Sequence, residues 1–343
     1  MVSLRSFPAS RFSRLLVPSS WLYGGVALAR RQWWTSRARR LERPVVSVGN
    51  VTCGGTGKTP AVEMIIRDLL RWGYKPAIVS RGYGAKGLTE GEALQGNDEF
   101  HLLRSNLPDV PHYQGPDRYS TGRRAIQAGA NVIVLDDGFQ HVKLHRDLDL
   151  VLVDAIEPFG HGRVLPAGFL REPLRVLSRA GLFAVTRCEK VDPRKLSTLA
   201  AYLRNRFPGK PVIYLDTKPV EWVALSGEKD PPQSTRGRRV LAFCGIGNPE
   251  AFRRQLVDLG LKLERLVCFR DHHRYTDSDI RALHSRAREL GVEEVVMTQK
   301  DAVKIESSQL TVGWKYLRVE CRVLRGQDAY NDALQGLLEK HAS

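Results

Sequence analysis

The stretch Val45 to Pro60, VVSVGNVTCGGTGKTP, constrains this chain more than any other. A β-branched run leads into a glycine-rich turn, Gly57-Lys58-Thr59 follows, and Met64, Ile65, Leu69 and Leu70 then recur at helical spacing. Strand, glycine turn, Lys-Thr and helix in that order describe a phosphate-binding loop. Glycines let successive backbone N–H groups turn inward around phosphate oxygens, and the helix N-terminus adds partial positive charge. In this reading Asn50, Thr52, Gly54, Gly55, Thr56 and Gly57 line the phosphates. Lys58 reaches the β- and γ-phosphates, and the Thr59 hydroxyl sits on Mg²⁺. Thr52 stands where the strict pattern has glycine, so the spacing alone does not satisfy the motif.

Further buried runs extend the same α/β pattern. Pro76 to Ser80 reads as a strand followed by Arg81-Gly82-Tyr83-Gly84, a loop at the carboxyl edge of the sheet, where open α/β sheets bind ligands. Asn131 to Asp137, NVIVLDD, is a strand ending in two acids, the form in which phosphate-loop enzymes hold Mg²⁺. DLDLVLVD, ending at Asp154, is another strand. FGHGRVLPAGFLREP, Phe159 to Pro173, is a Gly/Pro-rich loop whose Arg171-Glu172 suits either a phosphate clamp or a surface ion pair. Asp98 and Glu99 precede a helical pattern, where acids complement the helix N-terminus in any protein. The polar run Ser226 to Arg239 reads as a linker or exposed loop, and Val240 to Gly247 starts a second strand-and-helix series. His272-His273 is the one adjacent histidine pair, and adjacent residues on an extended chain point apart.

At 343 residues, length alone favours two domains. The expected organisation is an N-terminal segment over 1–43, a core domain over 44–217 and a smaller α/β domain over 218–343. The fold class is α/β: a P-loop NTPase-type core sheet with flanking helices, the second domain, and an N-terminal membrane-associated helix. The five cysteines are scattered without metal-ligand spacing, which argues for a reducing compartment and against a zinc site. A formal net charge of +16 favours anionic partners. In the first segment Arg5, Arg11, Arg14, Arg30, Arg31, Arg37, Arg39, Arg40 and Arg43 face a single acid, Glu42. Phe12, Leu15, Leu16, Leu22, Tyr23, Val26, Trp33 and Trp34 roughly follow helical spacing among them, which suits a helix lying in a membrane interface, or else one merely packed on the domain. Ala27-Leu28-Ala29 also fits a signal-peptidase site, although export would part a nucleotide-dependent enzyme from its nucleotide. The charge carries no recognisable nucleic-acid fold motif, so no nucleic-acid partner is expected.

Taken in order, WLYG, SVGNVTCGGTGKTP, SRGYG, the NDE segment, LDDGFQH, RDLDLVLVD, FGHGRVLPAGFLREP, GIGNP and FRDHHRY resemble the tetraacyldisaccharide 4′-kinase family of Gram-negative bacteria. The resemblance runs from Trp21 almost to the C-terminus. It implies transfer of the ATP γ-phosphoryl group to the 4′-hydroxyl of an acylated disaccharide 1-phosphate lipid, with ATP and Mg²⁺, on the cytoplasmic face of the inner membrane. It also implies residue roles. Lys58 and Thr59 bind phosphates and metal; Asp136, Asp137 and Glu172 form the acidic metal-side cluster; Arg171 lies beside the phosphates. Asp98 is the catalytic base, coupled to His272 from the second domain, so that the pair forms when the domains close. The family's Gly-Asp-Glu-Pro reads Gly96-Asn97-Asp98-Glu99-Phe100 here, and its Thr-Glu-Lys-Asp reads Thr298-Gln299-Lys300-Asp301. The latter resembles a guanine-reading Thr-Lys-x-Asp only superficially, the lysine being one position late.

Overall fold

The computed structural model describes residues 16–82, 98–292, 294–305 and 313–342. Tyr83, Gly84, Gly96, Asn97 and the N-terminal residues Arg5, Arg11, Phe12, Arg14 and Leu15 lie outside the described residues. In chain order the elements are α1 (Val17–Thr35), β1 (Val45–Asn50), α2 (Lys58–Arg71), β2 (Pro76–Ser80), α3 (Asp98–Asn106), β3 (His112–Gln114), α4 (Arg118–Gln127), β4 (Val132–Asp136), β5 (Leu148–Asp154) and β6 (Leu182–Thr186). Then come α5 (Pro193–Arg206), β7 (Val212–Ala224), β8 (Lys229–Asp230), β9 (Arg239–Cys244), α6 (Pro249–Asp258), β10 (Lys262–Cys268), α7 (Asp277–Glu289), β11 (Glu294–Thr298), α8 (Gln299–Ala302), β12 (Gly313–Arg325) and α9 (Gln327–Ala342).

The chain forms two compact units, 1–93 with 107–217 and 321–343, and 94–106 with 218–320. Two segments thus fall differently from the expected boundaries. The segment carrying Asp98 belongs to the second unit, and the C-terminal helix α9 belongs to the first. In the first unit α9 is tied down by Tyr330, a fully buried ring whose hydroxyl donates to Asp68 Oδ2 at 2.7 Å.

The first unit carries strands in the order β7-β6-β5-β1-β4-β2-β3, and the registers between neighbours are parallel. A parallel strand is covered on both faces and reads as a continuous apolar run, which is why β1, β4, β5 and β6 are buried at every position. Helix α2 packs on this sheet through Ala61, Val62, Ile65, Ile66 and Leu69, all fully buried at helical spacing. The registers Val48↔Asp136, Asn50↔Leu152 and Asp154↔Thr186 bring the carboxyl ends of β1, β4, β5 and β6 to one edge. Gly49 on β1 is required there, because a Cβ would stand 2.6 Å from that of Phe139, in the turn after β4.

Helix α1 meets its own unit through one face. Ser20 and Gly24 are buried; Ser20 Oγ accepts the Ala167 N–H at 3.0 Å, and a Cβ on Gly24 would already touch Val164 and Pro173. On the other side Trp21, Leu22, Val26 and Trp33 are 59–77% exposed. The Ala27–Ala29 tripeptide lies inside this helix.

In the second unit β10-β9-β11-β12 form parallel neighbours. Phe243, Met297, Trp314 and Leu283 centre one apolar cluster, Trp222, Phe252 and Leu256 another. The stretch read as a linker after Ser226 instead folds back: β8 pairs antiparallel with β7 (Trp222↔Asp230), and Trp222 Nε1 donates to the Pro232 carbonyl at 3.1 Å. A buried indole gave that polar segment its anchor, which composition does not reveal.

Candidate active site

The phosphate loop follows β1 at the carboxyl edge of the first unit's sheet. Gly57 caps α2 at φ 85°, ψ 27°, a left-handed conformation that glycine adopts without Cβ strain, and Lys58 opens the helix. The start of the loop is laced to the Gly/Pro-rich segment: Cys53 N–H donates to the Phe169 carbonyl and Arg171 N–H to the Val51 carbonyl, both at 2.7 Å, with a bridge between Thr52 and Leu170. That bridge gives Thr52 extended pairing in place of a glycine's freedom. Asn50 Nδ2 donates to the Thr52 carbonyl at 2.8 Å, and Gln140 Nε2 donates to the Asn50 carbonyl at 2.7 Å. Asn50 Oδ1 and Thr56 Oγ1 are buried with no hydrogen-bond partner among the described residues. The Thr56 hydroxyl can donate to a phosphate oxygen, whereas Asn50 Oδ1, an acceptor, suits a metal-bound water. Gly54 and Gly55 are exposed beside them.

Arg171 and Asp137 meet at this loop. Arg171 Nη1 donates to both Asp137 oxygens at 2.9 and 3.1 Å and to Gln140 Oε1 at 3.4 Å. Lys58 Nζ lies 3.7 Å from Asp137 Oδ1. Burial alone would raise the Asp137 carboxyl; the Lys58 and Arg171 charges outweigh it and hold the group below the ordinary carboxylate value. Asp137 sits at φ 50°, a left-handed turn position that Asp tolerates better than most residues. Asp136 ends β4 at 3% exposure, and the carbonyls of both acids accept from Arg118 Nη2 at 3.3 and 3.4 Å. Gln140, in the turn after β4, is thus the link between the end of β1 and Arg171.

Glu172 goes elsewhere. Its carboxylate is buried 3.8 Å from Arg31 of α1 and 4.0 Å from Arg179. Burial pushes this carboxyl above its usual value, and the Arg31 and Arg30 charges only partly oppose that. Among the described residues no group of three or more His, Cys, Asp or Glu side chains is arranged to hold a metal ion. The three acids expected together are therefore split, with Asp136 and Asp137 at the loop and Glu172 against the N-terminal helix. Mg²⁺ keeps several waters and takes one or two carboxylates plus substrate phosphates, so a set of three carboxylates is not required to hold it.

The second unit holds its own charged cluster. Asp98 opens α3, and its Oδ2 lies 3.0 Å from His272 Nδ1 and 3.1 Å from Lys304 Nζ. Both partners belong to the same unit as Asp98, so this pair forms inside one unit and does not wait on domain closure. His272 is at φ 59°, in the turn after β10, with Lys300 Nζ 3.3 Å from its Nε2. Its neighbour His273 points away, stacking on Phe269 at 4.7 Å and contacting Asp279 at 3.1 Å. Burial would raise the Asp98 carboxyl, but the Lys304 charge and the His272 hydrogen bond carry it below the ordinary value. Lys304 is the residue sequence reasoning missed. It stands three residues after Asp301, which is fully buried and accepts from Gly245 N, Tyr275 Oη and Thr298 Oγ1 at 2.6–3.0 Å. The TQKD segment thus anchors this corner, and its Gln299 pairs with Asn106 at the end of α3.

Comparison with known proteins gives one consistent answer. A family model for tetraacyldisaccharide-1-P 4′-kinase matches residues 12–339. The chain is 39% identical to tetraacyldisaccharide 4′-kinase of Pelobacter propionicus, over 98% of this chain and 95% of that one. It is 38% identical to that of Syntrophus aciditrophicus, over 92% and 90%. A crystal structure of LpxK from Aquifex aeolicus in complex with ATP matches with a TM-score of 0.76 at 29% identity, covering 96% of this chain and 99% of that one. Phosphate loop, acidic strand end and sequence-wide similarity agree, and the chain belongs to the tetraacyldisaccharide 4′-kinase family.

Proposed function

We infer that this protein transfers the γ-phosphoryl group of ATP to the 4′-hydroxyl of a tetraacylated glucosamine disaccharide 1-phosphate, as a step of lipid A biosynthesis. The observation that carries the reading is a built phosphate loop, with Lys58 on the first helical turn, inside a chain that matches the kinase family almost end to end. In the reaction the bond from Pγ to the ADP oxygen breaks, a bond from the 4′-oxygen to Pγ forms, and the hydroxyl proton leaves. Lys58 and the loop N–H groups hold the phosphates, and Arg171 adds charge beside them. Thr59, Asp136 and Asp137 would hold Mg²⁺, which neutralises charge on the phosphate oxygens when bound. Asp98 takes the proton, with His272 and Lys304 fixing its carboxylate. Incubation with γ-labelled ATP, Mg²⁺ and the tetraacyl disaccharide 1-phosphate tests this. Label in a bisphosphorylated lipid, one per ADP formed, is expected; label released only as inorganic phosphate would defeat the reading.

The same reading assigns the chain to the cytoplasmic face of the inner membrane, peripheral or monotopic. Supporting it are the exposed Trp21, Leu22, Val26 and Trp33 on α1, with Arg37 over the Trp33 ring at 3.9 Å and Lys143 over Trp34 at 4.3 Å. Aromatic rings flanked by cations suit headgroup depth. An apolar cavity of about 360 Å³ beside the helix, lined by Trp21, Leu28, Val164 and Leu170, suits an acylated partner. No described helix is long and apolar enough to cross a membrane. Replacing Trp21, Leu22 and Trp33 by Ser should weaken sedimentation with anionic vesicles and leave ATP binding unchanged; undiminished sedimentation would move the anchor elsewhere.

A further inference from the structure

Arg187 is the first residue after β6 and takes a left-handed conformation, φ 58°, ψ 36°. Such a conformation is disfavoured for a long side chain and persists where contacts hold it. Here its Nη2 donates to the Gly55 carbonyl, at the tip of the phosphate loop, at 3.1 Å. The same nitrogen donates to Asp154 Oδ2. Asp154 ends β5 at 6% exposure, and its other oxygen accepts the Ile156 N–H at 3.0 Å, so the carboxylate is fixed from both sides. Strands β5 and β6 are parallel neighbours with Asp154 opposite Thr186, which puts Arg187 one step beyond that register pair.

We propose that Arg187, held by Asp154, is a positioning residue that orients the peptide between Gly55 and Thr56 for phosphate binding. A trans peptide is planar, so its carbonyl and the following N–H point in opposite directions. Drawing the Gly55 carbonyl onto a guanidinium turns the Thr56 N–H the other way, as a donor toward the phosphates, and keeps the carbonyl oxygen off them. Gly54 and Gly55 offer no side chain to set that plane, and both are exposed. The other anchors of the loop act before this point, on Asn50, Val51, Thr52 and Cys53. The inference rests on the reading that this loop binds ATP.

The test compares Arg187→Gln, Arg187→Lys and Asp154→Asn in the full chain by titrating ATP, ADP and adenosine, alongside kinase assays and thermal melts. Loss of one positioning hydrogen bond should weaken ATP and ADP by about tenfold in Arg187→Gln. Adenosine, which has no phosphate, should bind as to wild type, and the KM of the lipid should hold. Arg187→Lys should recover part of the loss. Asp154→Asn should copy the defect, and the double variant should be less than additive. ATP and ADP affinity unchanged in a folded Arg187→Gln would overturn the proposal. So would a loss extending equally to adenosine, which would mark a general structural role. Wild-type protein that binds none of the three would defeat the reading of the loop itself, a distinct outcome.

Discussion

Asp137 and Asp98 are both partly buried carboxylates held below their ordinary value by a lysine, yet their oxygens are used differently. At Asp137 the Arg171 guanidinium takes both oxygens and Lys58 approaches Oδ1. At Asp98 the contacts of His272 and Lys304 converge on Oδ2, and Oδ1 takes part in neither. A carboxylate engaged on both oxygens by cations is a fixed charge with little basicity left. One engaged on a single oxygen is oriented and keeps an oxygen that can accept a proton. Under the proposed reaction, the first would be a donor-side cluster that holds charge and the second an acceptor-side cluster that moves a proton.

The largest effect that would break this division is expected at Lys58. Lys58→Ala should lower turnover by on the order of 10⁴, since it removes the ammonium that opens the helix of the phosphate loop. Near-normal kcat in the folded variant would remove the donor side. Next is Asp98→Ala, expected to lower kcat by roughly 10²–10⁴ with nucleotide KM within a few-fold. His272→Ala should cost less, and the double variant should fall short of additivity because both act through one hydrogen bond. Strict additivity would mean the two act independently.

A smaller effect sharpens the comparison through pH. Held down by Lys304, Asp98 stays ionised as pH falls past the ordinary carboxylate value, so it remains a proton acceptor there. Lys304→Met leaves burial opposed mainly by His272, and the acid limb of the kcat–pH profile should move to higher pH. A limb that stays in place or moves lower would show that Lys304 does not set this carboxylate. The smallest effect concerns Glu172, whose carboxyl is raised from the ordinary 4.5 by burial. The native state then binds its proton more tightly than the unfolded chain, so ionisation costs stability once pH rises through the raised value. Glu172→Gln should raise Tm at pH 7 by on the order of 2 °C and change nothing at about pH 4. Asp137, with its lowered value, has the opposite sign: Asp137→Asn should lower Tm at pH 7, with the difference fading in acid.

Contiguous features were legible in the sequence, because local order determines them. The run VVSVGN, the glycine turn and the Lys-Thr helix start specify a strand, loop and helix without help from distant residues. NVIVLDD likewise ends a buried strand at its acids. What was not legible depends on packing across long separations. Glu172 adjoins Arg171 in sequence, yet one side chain turns to Asp137 and the other to Arg31, 141 positions earlier in the chain (172 − 31). Lys304 bears no motif of its own and reaches Asp98 because the buried Asp301 fixes the turn after β11. The length of β7, which runs on to Ala224, follows from its pairing with β8 and not from its polar composition.

The division of labour between the two clusters is tested most directly by titrating ATP against Asp98→Ala and Lys58→Ala while phosphoryl transfer is measured on the same samples. Asp98→Ala should bind ATP within about twofold of wild type while transfer to the lipid collapses, whereas Lys58→Ala should lose both. An Asp98→Ala protein that loses ATP affinity as severely as Lys58→Ala, or that transfers phosphate at the wild-type rate, would contradict it.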